Sequence, residues 1–209
     1  VNKHIKAKYG REIIITERGN IMKDLYDAIE NGSRVSGLPF HTRDEETGDD
    51  GIGRRQCTYD YKIAAINEKV RELLGYKPRQ SMKEMVHMWK GVTTDEVQRV
   101  KPSPQKWIEA EHPFIWEYPQ NRSECVAYVE RELGFTPLSS ACAICPFHSN
   151  DAWLEIKRND PKAFEEAVAL DKMLRSPDSK MKFKSDVYLH KSRKPLGEVD
   201  LNEAQMELD

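Results

Sequence analysis

Long apolar runs, internal repeats and low-complexity tracts are all absent from this 209-residue chain. No stretch approaches the roughly 20 apolar residues of a membrane-spanning helix, and no secretory signal is visible. Charge of one sign is also lacking, since 33 Lys+Arg face 35 Asp+Glu and the net charge is −2. No global field therefore draws the chain to nucleic acid or to a membrane. These absences indicate a cytoplasmic, globular protein.

Cysteine is scarce, and the four that occur are Cys57, Cys125, Cys142 and Cys145. Disulfides are disfavoured because nothing indicates secretion and a chain of this size needs no covalent staples. Four thiols in such a sequence favour a metal site. Cys142 and Cys145 form a C-x-x-C turn, whose backbone amides stabilise thiolate charge. Cys57 and Cys125 are the candidates that complete a four-thiolate set.

The cysteine spacing leaves the identity of the metal open. Zinc and iron–sulfur clusters both accept four cysteine thiolates. One close pair with two separate cysteines fits a cluster somewhat better than zinc, and plain buried cysteines are a third interpretation. His148 follows the C-x-x-C turn as a further candidate zinc ligand. A lone histidine at such a place is more commonly a hydrogen-bonding residue.

The apolar pattern predicts an α/β order early in the chain and mostly helices later. Strands are predicted at residues 12–17, 83–92 and 112–119. Helices are predicted at residues 20–32, 59–75, 93–100, 121–134, 149–160 and 160–176. Residues 33–56 form a long polar loop. The four tryptophans are expected in the core, with stacking on a base as the alternative for one of them.

Three details of these helices are also predicted. Thr93 and Glu96 are spaced as a capping box. Cys125 lies near the start of its helix, where the positive helix end favours a thiolate. The helix at 59–75 has one apolar face, of the kind that packs on a core, made of Ile63, Ile66, Val70, Leu73 and Leu74.

Basic side chains beside Cys57 and Cys125, and a second basic cluster after the helix predicted at 93–100, are candidates for binding phosphate or sulfate. The planar guanidinium of arginine matches such oxygens, and lysine adds a point charge. A solvated surface is the alternative, because any cluster among 33 Lys+Arg is more often surface than site. The candidates, in chain order, are Arg54, Arg55, Lys62, Arg99, Lys101 and Arg122.

Three segments carry a family resemblance. "RRQCTYDYKIAAI", in which Lys62 follows Cys57 by five positions, resembles the cysteine-plus-lysine segment of phosphoadenosine phosphosulfate (PAPS) and adenosine phosphosulfate reductases. "ACAICPF" with the following Trp153 resembles the later C-x-x-C of that superfamily, and the "YLHKSRKPL" tail is similar to that of PAPS reductase-like proteins. The resemblance is spread over about residues 54–197.

The resemblance implies a PP-loop (adenine nucleotide alpha-hydrolase-like) fold: a Rossmann-like α/β sheet with a helix-rich C-terminal part that carries the cysteine site. Residues 1–53 would be a remnant of the nucleotide-binding domain, 54–197 the PAPS reductase-like region and 198–209 a tail. It further implies that all four cysteines hold a 4Fe–4S cluster, with zinc as the alternative. ATP or an adenylyl sulfate would bind close by.

The chain departs from the family pattern in three respects. The S-G-G-x-D-S type PP-loop is absent, so it is expected before Val1 or in another chain, unless nucleotide binding is lost. A single cysteine, Cys57, stands where cluster-bearing reductases have a pair, so Cys125 supplies the fourth ligand or one iron stays open. No cysteine follows Cys145, so sulfite-releasing chemistry lacks its nucleophile.

These features predict a nucleotide-dependent, adenylating sulfur transferase with an iron–sulfur cluster. Its partners would be an adenine nucleotide, a nucleic acid as sulfur acceptor, and a second copy or another chain. The alternatives are a true PAPS or adenosine phosphosulfate reductase that uses an external thiol, and a zinc- or cluster-stabilised binding module without catalysis. The sequence identifies no catalytic residue.

Overall fold

The computed structural model describes residues 1–44, 46–136 and 142–202. It divides the chain into two compact units, each assembled from two stretches of sequence. Unit 1 comprises residues 1–16 and 68–140, and unit 2 comprises residues 17–67 and 141–209. The domain division that the family resemblance implies, into residues 1–53, 54–197 and 198–209, stays a prediction.

The elements of the described residues follow one another in this order. The α-helices are α1 (Asn2–Tyr9), α2 (Ile21–Asn31), α3 (Ala64–Leu73), α4 (Pro113–Trp116), α5 (Arg122–Leu133), α6 (Asn150–Asn159) and α7 (Pro161–Leu174). The strands are β1 (His41–Arg43), β2 (Asp50–Ile52), β3 (Val86–Trp89), β4 (Ile108–Glu111) and β5 (Asp186–Tyr188). A π-helical turn covers Tyr59–Ile63, and 3₁₀ turns cover Thr94–Arg99 and Leu196–Glu198.

Local end signals place most of the helices where the sequence predicts them. The Asn20 side chain accepts hydrogen bonds from the N–H groups of Met22 and Lys23 at the start of α2. Helix α5 begins with a capping box between Asn121 and Glu124. The helices predicted at 20–32, 59–75, 121–134, 149–160 and 160–176 are therefore confirmed, and β3 confirms the strand predicted within 83–92.

Four predictions about local structure are wrong. Residues 12–17 form no strand, and Ile15 is 78% exposed, because these residues pair with no strand in the described part of the chain. Residues 112–119 contain helix α4, because Pro113 occupies the first helical turn that it favours. Residues 93–100 form a 3₁₀ turn without a Thr93 side-chain cap. The loop at 33–56 contains the strand pair β1–β2.

The tryptophans and the face of α3 also differ from expectation. Trp153 is fully buried as predicted, whereas Trp89 and Trp116 are 69% and 70% exposed. The prediction of a core position is therefore wrong for these two. Helix α3 buries Ala64 instead of its larger apolar residues, so the predicted buried face is wrong for the exposed Ile63, Ile66, Leu73 and Leu74.

Unit 2 is organised around one apolar core. The antiparallel sheet, in the order β2–β1–β5, contributes Val187. Helix α2 contributes Leu25 and Ile29, and the C-x-x-C turn between Cys142 and Cys145 contributes Ile144. Helix α6 contributes Trp153, and α7 contributes the set Phe164, Ala167, Leu170 and Leu174. Burial of these side chains fixes the elements that hold the cysteines of this unit.

Unit 1 contains the parallel pair β3–β4, in which Val86 lies opposite Ile108 and Trp89 opposite Glu111. Its described buried apolar residues include Ile108 and Ile115. Taken together, the two small sheets and the helices confirm the prediction of a mixed α/β chain.

No helix in the described ranges has the length and apolar character to cross a membrane.

Candidate functional site

Three of the four cysteines lie together in unit 2. Burial raises the pKa of the Cys142 thiol, a hydrogen bond from the Ile144 N–H opposes that rise, and the thiol of Cys145 adds to it. Smaller influences come from Lys62, which lowers this pKa, and from Cys57, which raises it. These groups therefore share one electrostatic neighbourhood, and the name "cysteine group" is used below for Cys57, Cys142 and Cys145.

The C-x-x-C segment is a tight hydrogen-bonded turn. The Cys145 N–H donates to the Cys142 carbonyl at 2.9 Å, and the His148 N–H donates to the Cys145 carbonyl at 3.1 Å. The His148 ring Nε2 donates to the same Cys142 carbonyl at 2.8 Å, while its ring packs edge-on against Trp153. These bonds confirm His148 as a hydrogen-bonding residue of the turn.

A second histidine fixes the exit of this turn. The ring Nε2 of His41 on β1 donates to the Pro146 carbonyl at 2.9 Å. His41 is buried, and this burial lowers its pKa, although the bond to Pro146 opposes the effect. A neutral imidazole on the three-stranded sheet thus holds the segment that follows Cys145.

Cys57 is positioned by a different part of unit 2. The N–H groups of Gln56 and Cys57 both donate to the Gly37 carbonyl, at 2.9 and 3.2 Å. A Cβ atom at Gly37 would lie 3.1 Å from the backbone carbonyl oxygen of Arg54 and 2.9 Å from the Gln56 Oε1, so a larger residue would fit here only if these neighbours shifted. The π-helical turn Tyr59–Ile63 follows directly. Cys57 packs against the apolar core, as Cys142 does.

Cys125 belongs to unit 1, in the first turns of α5. Burial raises the pKa of its thiol, and the carboxylates of Glu124 and Asp95 raise it further. Its S–H donates to the Gln120 side chain at 3.9 Å. The prediction that the helix start favours a thiolate here is wrong, because burial and the two acids outweigh the helix end. Its role as a fourth ligand stays a prediction.

Within residues 1–44, 46–136 and 142–202, no group of three or more His, Cys, Asp or Glu side chains is arranged to hold a metal ion. Among the described residues, the three thiols of the cysteine group are therefore not placed to hold a single metal ion. Trp153 packs against the ring of His148, and its buried indole N–H has no hydrogen-bond acceptor among the described residues. Such a donor costs about 1–3 kcal/mol, and a thiolate or sulfide within its reach would satisfy it.

Unit 2 carries an open cleft of about 700 Å³, and some of its lining residues flank Cys57 in the sequence. Its lining includes three arginines, Arg18, Arg34 and Arg55, and two tyrosines, Tyr59 and Tyr61. We call this the arginine cleft. Planar guanidinium groups match phosphate and sulfate oxygens, so the cleft suits an anion that also carries a flat ring.

The acidic side chains of the arginine cleft are already engaged by hydroxyl groups. The Tyr61 hydroxyl donates to Asp24 at 2.6 Å, and the Ser36 hydroxyl donates to Asp60 at 2.7 Å. Three guanidinium groups outnumber these two carboxylates in the lining. The cleft therefore keeps an excess of positive charge.

The structure separates the six predicted basic residues. Arg55 lines the arginine cleft, and its guanidinium lies 5.2 Å from the ring centroid of Phe147, which follows the C-x-x-C turn. Lys62 acts electrostatically on Cys142. Arg54 is exposed beside them. These three residues belong to unit 2, as the cysteine group does.

The other three basic residues belong to unit 1. Arg99 pairs with Glu96, and Lys101 is exposed. Arg122 lines an open cleft of about 560 Å³ together with Asp95, Glu96 and Glu130. Acids outnumber the arginine in this cleft, which favours the solvated-surface interpretation for these residues.

Sequence reasoning missed Arg18, Arg34, Tyr59 and Tyr61. Arg18 lies just before the cap of α2, and Arg34 lies shortly after its end. Neither is part of a recognisable motif. The only usable signal is that both flank the helix that precedes the cysteine segment.

Comparisons with family models, with curated proteins and with solved structures gave no significant match to this chain. The resemblance to PAPS reductase-like proteins therefore stays a prediction based on the quoted segments.

Proposed function

We propose that unit 2 binds an iron–sulfur cluster through Cys57, Cys142 and Cys145 and serves nucleotide-dependent sulfur transfer, as a member of the PAPS reductase-like superfamily with its Rossmann-like fold. The observation that carries the proposal is the cysteine group itself. Three thiols from two distant segments share a neighbourhood with Lys62. The positive charge of Lys62 favours thiolates, which are the form that binds metal.

The arrangement of the thiols favours a cluster over zinc. Structural zinc sites usually draw on two close pairs of ligands, whereas this chain has one close pair, Cys142 and Cys145, and two separate cysteines. In an iron–sulfur cluster each cysteine binds a different iron, so the sulfurs stay apart. The unpartnered indole N–H of Trp153 also suits a sulfur-rich group, because hydrogen bonds to sulfur are part of such sites.

The arginine cleft would bind the nucleotide. Arg18, Arg34 and Arg55 offer guanidinium groups for phosphate oxygens, and Arg55 also contacts Phe147 beside the cysteine turn. The residues of the cleft would thus hold the anionic part of a nucleotide near the cysteine group. When bound, a cluster with three cysteine ligands leaves one iron open to hold the sulfur atom that is transferred.

A reductase mechanism that uses a thiol of this chain as the nucleophile is the weaker alternative. It requires a nucleophilic thiol that attacks sulfur and is later regenerated. Cys142 is half-buried with a raised pKa, which opposes the thiolate form in the absence of metal. Cys125 is raised as well. Neither thiol has the lowered pKa that a catalytic nucleophile needs.

The test is the iron and acid-labile sulfide content of the full chain after anaerobic purification. We expect iron and sulfide in the wild type, and loss of most of both in Cys57→Ser, Cys142→Ser and Cys145→Ser. Cys125→Ser is the matched control, because it removes a thiol from unit 1, and it should keep both. Thermal unfolding shows that each variant is folded.

Two results would overturn the proposal. Stoichiometric zinc without sulfide in the wild type would replace the cluster with a zinc site. Loss of iron in Cys125→Ser, with an unchanged unfolding temperature, would replace the three-cysteine set with a four-cysteine set.

A further inference from the structure

The π-helical turn Tyr59–Ile63 connects two parts of the site. Tyr59, Asp60 and Tyr61 line the arginine cleft, whereas Lys62 acts on Cys142. Cys57 and Thr58 precede the turn, and α3 follows it. Single π-helical turns are uncommon and occur frequently at functional sites. The conformation of this one turn therefore determines where both Cys57 and Lys62 lie.

The segment before α2 and its first turn hold the π-helical turn. The Tyr61 hydroxyl donates to the Asp24 Oδ2 at 2.6 Å, and the Arg18 Nη1 donates to the Asp60 carbonyl at 3.2 Å. Gly19 packs on this pair, since a Cβ there would lie 3.3 Å from the Asp24 Oδ2 and 3.4 Å from the Tyr61 ring. The Tyr61–Asp24 bond is thus a close-packed link between two elements of unit 2.

The environment of Tyr61 also connects it with the cysteine group. Burial raises the pKa of Tyr61 well above its usual range, and the bond to Asp24 raises it further. The charges of Asp24, Asp60 and Cys57 act in the same direction. Tyr61 therefore stays a neutral hydrogen-bond donor at all physiological pH values, and its ring lies within electrostatic range of the Cys57 thiol.

We infer that Tyr61 is a positioning residue, which through its hydrogen bond to Asp24 holds the turn that places Cys57 and Lys62 beside Cys142. The use of this arrangement for cluster binding depends on the proposed function, whereas the positioning itself does not. A hydrogen bond to a charged group is stronger than one between neutral groups. Its loss should allow the turn to open locally and expose Cys57.

The experiment compares Tyr61→Phe with Tyr26→Phe in the full chain. Tyr26 lies on α2 and packs on the core without lining the arginine cleft, so its variant loses a hydroxyl from the same region. After metal is removed with a chelator, the rate of iodoacetamide alkylation is measured at each cysteine by mass spectrometry. We expect Cys57 to react about tenfold faster in Tyr61→Phe, and at the wild-type rate in Tyr26→Phe.

Asp24 provides the second arm. Asp24→Ala should match Tyr61→Phe, and the double variant should add nothing, because both changes remove one bond. Asp24→Asn keeps a carbonyl acceptor and should restore a rate close to that of the wild type. Cys125 in unit 1 is the internal reference, and its rate should not change.

The possible outcomes distinguish a positioning role of Tyr61 from general destabilisation of the protein. They also distinguish failure of this inference from failure of the proposed function. Equal acceleration at Cys57 and Cys125, or no change at Cys57, would overturn the inference. An accelerated Cys57 in a protein that never contains iron would sustain the positioning role and contradict the proposed cluster. Iron in the wild type with an unchanged Cys57 rate in Tyr61→Phe would do the reverse.

Discussion

At the scale of single residues, Arg34 is the cleanest probe of the arginine cleft. It is exposed in the cleft and has no hydrogen bond or ion pair with any described residue. A guanidinium that binds phosphate forms charge-assisted bonds, and the loss of one such contact costs about 1.5–3 kcal/mol. We expect Arg34→Ala to weaken binding of ATP and of pyrophosphate about tenfold or more, as measured by calorimetry.

Arg158→Ala provides the comparison for this prediction. Arg158 is an exposed arginine on α6 of unit 2 and does not line the cleft, so its removal changes the net charge by the same amount. Its variant should bind both ligands as the wild type does. An equal loss in both variants would indicate a long-range charge effect and would remove Arg34 from the site.

At the scale of elements, one carboxylate joins α7 to the segments that follow it. Asp171 is 1% exposed and accepts bonds from the Arg175 guanidinium at 2.7 Å and from the N–H groups of Leu189 and Leu196 at 2.8 and 2.9 Å. Removal of one partner of a buried ion pair costs about 3–5 kcal/mol because the other charge stays buried. We expect a loss of this size in the free energy of unfolding of Asp171→Ala, measured with urea.

The exposed pair of Lys162 and Glu166 on the same helix is the matched contrast. Its charged atoms are 4.0 Å apart, and both side chains are largely exposed. Such pairs contribute about 0.3–0.5 kcal/mol at most helix positions. Glu166→Ala should therefore unfold almost as the wild type does, and a similar loss in both variants would show that Asp171 has no special role.

The elements also show what sequence can predict. Helices α2, α5 and α7 were predictable because their caps, such as Asn20, Asn121 and Asp160, act on the next few residues. The strand pair β1–β2 was missed because its strands are short and polar. They are specified by their pairing with each other, in which Thr42 lies opposite Gly51. The apolar run at residues 13–15 was wrongly predicted as a strand for the same reason, since an apolar run without a partner strand forms no sheet.

The same contrast between local and long-range signals applies to the candidate site. Cys142 and Cys145 are three positions apart, so their shared turn could be predicted from the sequence. Cys57 joins them through the fold of unit 2, and the cysteine count had named it only as one of two candidates, together with Cys125. The arginine cleft unites Arg18, Arg34 and Arg55, which are far apart in the chain, so no local pattern could have indicated it.

At the scale of the whole molecule, the division into two units distinguishes the proposed three-cysteine metal site from the four-cysteine site that the resemblance implies. The cysteine group, Lys62 and the arginine cleft all belong to unit 2, whereas Cys125 belongs to unit 1. A three-cysteine site is complete within one unit.

The stability of the molecule should also depend on pH through buried histidines of unit 2. His190 is 3% exposed, and its Nδ1 accepts a bond from the Ser192 N–H at 3.1 Å while its Nε2 donates to Asn150 at 3.0 Å. Protonation of Nδ1 would break the first bond. Burial, with smaller effects of His41 and Lys191, lowers the pKa of His190 to about 4, although Asp171 opposes the shift.

The pKa of His190 in the folded protein lies below the value of 6.5 expected in the unfolded chain. Between these two values the unfolded state therefore binds a proton that the native state does not bind. The contribution of His190 is therefore complete above pH 6.5 and is lost as pH falls towards about 4. We expect the free energy of unfolding to decrease on acidification through this range, and to decrease less in His190→Gln. Urea unfolding at several pH values measures both slopes. Equal slopes would mean that His190 titrates alike in the two states, and the decrease would then have to come from His41 and the carboxylates.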